Sequence, residues 1–142
     1  MAQGEMPKFS LSECLALPKA LRDSFASKGT TPINLAQAVK RSPSSSAWRA
    51  ITGSAVAYGI TDGGYNALQI TLTPLGDRIV NPTEEGADSS AMLEAALRPS
   101  IPKAFYEKYD GQKLPKDEIG KNVLRQLGVT QDRLDDAWQV VV

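Results

Sequence analysis

With 142 residues, 42% of them hydrophobic, the chain has apolar side chains enough for one domain, or for one domain with a helical extension, and too many for a disordered segment. Its 16 Lys/Arg balance 16 Asp/Glu, and the complete lack of histidine excludes imidazole acid–base chemistry, Ser-His-Asp and Cys-His nucleophile pairs and nearly all zinc sites. No window approaches the ~18 unbroken apolar residues of a membrane helix, MAQGEMPKFSLSE lacks the pattern of a secretory leader, and a lone Cys14 has no disulfide partner within the chain, which together point to the reducing cytoplasm.

The first helix is predicted in FSLSECLALPKALRDSFASKGTT, with Ser10 or Ser12 as N-cap and Glu13 completing a capping box with Ser10. Leu11, Cys14, Leu15, Leu17, Leu21 and Phe25 give it an apolar face; Pro18 should kink or split it, and Gly29 should close it. TTPI suits a short first strand, after which Asn34 is expected to cap LAQAVKR. The SPS at 42–44 is turn chemistry, and SSAWRAITGSAVAYGI is the next helix, with Trp48, Ile51, Ala55 and Tyr58 in register and Gly59 at its end.

The period then changes. Leu68-Gln69-Ile70-Thr71-Leu72 alternates as a strand does, and a tight turn at Asp62-Gly63-Gly64 makes GITDGGYNALQITLT a predicted β-hairpin. Thr73 caps a short helix, Pro74 takes its first position, and Asn81-Pro82 ends it. The remainder reads as helical. One helix runs from about Asp88 to Arg98; the next has Ile101, Ala104, Phe105 and Tyr109 inward; the third has Ile119, Val123, Leu124 and Leu127 inward and Gly128 as C-cap. A last helix starts at Thr130 with Leu134, Ala137, Trp138 and Val141 on one face. The three closing valines suggest either that the sequence is a piece of a longer chain or that they bury against a partner.

Charge is distributed unevenly: residues 1–80 carry 8 Lys/Arg against 5 Asp/Glu, and residues 81–142 carry 8 against 11. That dipolar layout leaves an N-terminal half able to face nucleic acid. Neither a GxxxxGK[ST] phosphate loop nor a GxGxxG turn occurs. The pairs Glu84-Glu85 and Asp135-Asp136 are adjacent and so diverge on a helix, while Lys103, Glu107, Lys108 and Asp110 are ordinary surface charge. The sequence therefore predicts no catalytic residue, no metal ligand and no cofactor, and argues against an enzyme.

The order helix, short strand, helix, turn, helix, hairpin is that of a winged helix-turn-helix domain. PINLAQAVKRSPSSSAWRAITGSAVAYGI resembles the paired helices of prokaryotic regulators of that superfamily, and LTPLGDRIV resembles the Leu-Thr-x-x-Gly element that follows the wing. FYEKYDGQKLPKDEIGKNVLRQLGV is similar to the continuation of uncharacterised bacterial and archaeal proteins that begin with such a domain. The resemblance implies a mainly α fold with a small β-hairpin wing. Its expected organisation is a flexible N-terminus over 1–9, a winged helix-turn-helix over 10–82, and a helical extension over 83–142 for dimerisation or docking.

The function so implied is double-stranded DNA binding and transcriptional control, with a homodimer or protein partner on the C-terminal helices and no membrane partner. Ser44, Ser45 and Ser46 would sit at the positive end of the recognition helix, where hydroxyls and backbone N–H groups suit a phosphate; equally, one of them caps the helix and the others only turn the chain. Arg49, off the apolar face, suits a guanine edge, a phosphate, or plain solvent. Lys40 and Arg41 end the preceding helix where the DNA backbone would pass, and Tyr65 and Asn66 at the wing tip could enter a minor groove. Trp48 belongs to the core rather than to a stacking platform. A sparsely basic recognition helix and an acidic residue in the wing fit the alternative, a winged-helix protein-interaction module that binds no DNA.

Overall fold

The computed structural model describes residues 6–109 and 116–141. Residues 1–5, 110–115 and 142, which include Asp110 and the last valine, lie outside the described residues. The architecture is mainly helical with one two-stranded antiparallel sheet.

Ser10 starts α1 (Leu11–Cys14): its Oγ accepts from Glu13 N–H at 3.2 Å and donates to the Glu13 carboxylate at 3.0 Å. The chain breaks at Leu15 rather than at Pro18, and α2 (Ala16–Phe25) follows. Pro18 falls in the first turn of α2, where a missing N–H leaves no bond unmade. The end of α2 comes earlier than Gly29. Ala26 and Ser27 turn left-handed (φ 53° and 62°), and Ser27 N–H closes on Leu21 O at 2.8 Å.

The expected first strand shrinks to one bridge, Thr30 with Ile70. Thr31, not Asn34, caps α3 (Pro32–Ala38), because a proline at the first helical position sets the boundary one residue before it. A left-handed Lys40 (φ 59°) turns the chain, and α4 (Ser46–Ala57) begins after Ser45 and ends before Gly59 (φ 75°). Strands β1 (Thr61–Asp62) and β2 (Thr71–Leu72) then pair with Thr61 opposite Leu72.

The hairpin is wider than its sequence suggests. Its loop runs from Gly63 to Ile70, with the turn at Tyr65 and Asn66 rather than at residues 62–64. Leu68, expected within the strand, is 93% exposed. Thr73 caps α5 (Pro74–Val80) as predicted, and α6 (Ala87–Ala96), α7 (Ser100–Lys108), α8 (Asp117–Gln126), a 3-10 turn (Gln131–Arg133) and α9 (Leu134–Val141) complete the chain.

Two cores form. The first joins Leu17, Leu21, Leu35, Trp48, Ile51, Ile60 and Ile70, and takes Ala91 and Ala95 from α6. Trp48 is fully buried there, its indole N–H without a hydrogen-bond partner among the described residues. The second gathers Ile101, Phe105, Val123, Leu124, Leu134 and Trp138, with Phe105 and Trp138 edge to face at 6.0 Å between centroids. Ile119, predicted inward, is 55% exposed. Gly120 takes the inward position, since the Trp138 ring lies where its Cβ would be. Val141 is buried within this core and its carbonyl accepts from Tyr106 Oη at 2.9 Å, so the chain itself covers that valine.

Candidate nucleic-acid interface

The α3–α4 pair presents its residues through two local devices. Arg41 N–H closes on Ala36 O at 2.8 Å beyond the left-handed Lys40, leaving the Lys40 side chain exposed. Ser45 Oγ accepts from Trp48 N–H at 3.1 Å and donates to Ser42 O at 2.8 Å. Of the two roles open to the serines, Ser45 takes the cap. Ser44 is exposed, with its hydroxyl 3.2 Å from that of Ser42, and Ser46 is exposed in the first turn of α4.

Arg49 stands one residue beyond the buried Trp48 and is exposed. Its guanidinium lies over the Tyr65 ring, 4.7 Å from the centroid. The contact brings the loop tip onto α4 at Arg49, with Asn66 exposed beside Tyr65, and Ser46 lines the same groove as Arg49. Arg41 is drawn elsewhere, its guanidinium 5.4 Å from the centre of the Phe9 ring.

Residues 6–9, expected as a flexible arm, instead form a strap beside α4. Lys8 and Phe9 N–H both donate to Ser54 Oγ at 3.2 Å, Phe9 O accepts from Tyr58 Oη at 3.0 Å, and Met6 O accepts from Arg133 Nη2 at 2.9 Å. Between strap and helix runs an open groove of about 510 Å³ with Ala50 and Gly53 along it and Lys8 and Arg49 as its cations.

Lys8 was the residue sequence reasoning missed. A signal did exist for the wider surface: between Asp23 and Asp62 the chain has no carboxylate side chain, whereas Lys28, Lys40, Arg41 and Arg49 all fall there. Against a phosphate backbone this matters more than the balanced total. The remaining outer residues of α4 are small or apolar, namely Ala47, Gly53, Val56 and Ala57.

Cys14 is fully buried, and desolvation, reinforced by the nearby Glu13 carboxylate, pushes its thiol up to about 12. It stays protonated and unreactive at neutral pH. Among the described residues no helix is long and apolar enough to cross a membrane. No family model, curated protein or solved structure compared with the chain matches it.

Proposed function

We propose that the protein binds double-stranded DNA through α3, α4 and the β1–β2 loop, acting as a winged helix-turn-helix in cytoplasmic transcriptional control. One observation carries this reading: Arg49, in the carboxylate-free stretch between Asp23 and Asp62, projects from the exposed start of α4 onto Tyr65 of the loop. In this reading Lys40 and the hydroxyls of Ser44 and Ser46 meet phosphates, Arg49 reads a base edge or clamps a phosphate, and Tyr65 and Asn66 reach an adjacent groove. Pairing of two chains through the C-terminal helices would set two copies of α4 about one helical turn, ~34 Å, apart.

Titration into labelled mixed-sequence duplex tests it. Neutralising three phosphates weakens binding about 40-fold between ~50 and ~200 mM salt, and Arg49→Ala should cost about 1–3 kcal/mol on a preferred site. Absence of binding at the lower salt overturns the reading.

The small, apolar outer residues of α4 favour a second reading, a protein-docking helix. A partner held there would be released little by salt.

A further inference from the structure

The strap bonded to α4 also stands in the way of the partner proposed for that helix. The Lys8 and Phe9 amides each donate to Ser54 Oγ at 3.2 Å, and Phe9 O accepts from Tyr58 Oη at 3.0 Å. Ser54 is buried at this crossing, while Gly53 before it is exposed. The groove beside the crossing is walled by Met6, Pro7 and Lys8 and reaches along α4 from Ser46 and Arg49 to Ala57. The strap therefore flanks the side of α4 that carries Arg49.

The first obstacle to a duplex is room. The major groove is ~12 Å wide and a helix with its side chains is ~10–12 Å across, so a bare helix already fills it. An extended segment alongside adds at least ~4.8 Å, the spacing of neighbouring extended chains. Helix and strap together are too wide.

The strap also affects the charges. Phe9 engages Arg41, just beyond α3, whose guanidinium lies 5.4 Å from the centre of the Phe9 ring. Pro7 and Lys8 border a further recess lined by Asp132 and Asp136, so two carboxylates of the C-terminal helices lie beside the strap, where they disfavour an approaching phosphate. What fixes the strap is the second core. Met6 is buried among α7–α9, and its carbonyl accepts from Arg133 Nη2 at 2.9 Å.

We propose that the strap and the second core form an autoinhibitory clasp on α4. With Met6 seated, the helix is kept from the major groove; release of residues 6–9 opens the Arg49 side and frees Arg41 for a phosphate. The clasp rests on the DNA-binding reading and adds its regulation. A strap seated about nine-tenths of the time lowers the apparent affinity about tenfold, because only the open fraction binds.

Met6→Ala and Arg133→Ala, combined in the full chain, remove both ties to the second core. The double variant should bind mixed-sequence duplex about tenfold more tightly at ~50 mM salt. Arg133→Ala deletes a cation, so its effect through charge alone runs the other way and cannot imitate that gain. The unaltered chain supplies the reciprocal measurement. Saturating duplex should speed hydrogen exchange at the Lys8 and Phe9 amides about tenfold, since DNA and the seated strap exclude each other. Amides as well protected in the complex as in the free chain would overturn the clasp and leave the DNA reading standing. So would a double variant whose strap amides exchange faster while its Kd stays the same. Binding of duplex by neither chain would overturn both.

Discussion

Gly76 shows how a single missing side chain locks the junction after the sheet. It occupies the third position of α5, where its N–H donates to Thr73 Oγ1 at 3.0 Å. A Cβ there would collide with the Ile60 carbonyl oxygen and sit 3.0 Å from Leu72 Cδ1. That carbonyl also accepts from Thr73 N–H at 3.4 Å, so it is not free to withdraw. Gly76→Ala should therefore destabilise by about 1–3 kcal/mol, read as a lower urea midpoint with unchanged slope. An unaltered midpoint would mean that α5 shifts at no cost. The Thr73 cap and Pro74 were legible in the sequence because capping is chemistry between near neighbours. The reason for Gly76 was not, because its obstacle comes from across the hairpin. Thr31 and Asn34 illustrate a smaller ambiguity: both have capping side chains, and it is Pro32 between them that settles the choice.

Helix α4 rests on one cap and one buried stripe. Ser45→Ala removes the acceptor for Trp48 N–H and should lower stability by about 0.5–2 kcal/mol in thermal melts, while Ser44→Ala should stay within about 0.5 kcal/mol. Equal effects would show that Ser44 and Ser45 share the cap. The stripe of Trp48, Ile51, Ala55 and Tyr58 could be read directly because a helix half sunk in a core repeats its burial every turn. The hairpin could be read only coarsely. Alternation continued back to Leu68, yet pairing begins at Ile70, whose partner Thr30 lies far away in sequence. In α8 Val123 and Leu124 are buried as expected, but Gly120 replaces Ile119 at the start of the face, since the Trp138 ring fills the space over Gly120 and leaves Ile119 outside. Of the interface, the serines, Lys40 and Arg49 were visible as residue types. The Arg49–Tyr65 contact and the strap were not, because both join segments distant along the chain.

The two cores are joined along the chain between α6 and α7, and a second time by the strap, whose Met6 is buried among α7–α9 while Lys8 and Phe9 hang on Ser54 of α4. Met6→Ala should loosen that second link. The Lys8 and Phe9 amides, protected by Ser54, should then exchange hydrogen about tenfold faster, equivalent to about 1.4 kcal/mol of easier local opening. Unchanged exchange would show that Ser54 and Tyr58 hold the strap without help from the second core.

The Arg133 bond to Met6 spans 127 positions of sequence, which has a consequence for how the molecule is made. At about 5–20 residues per second, synthesis delivers Arg133 roughly 6–25 s after Met6. Domains fold as units while the chain is still growing, so the first core can close around Trp48 well before α9 exists. Over that interval the strap can already bond to Ser54 and Tyr58 of α4, while its Met6 end waits for the core that will bury it.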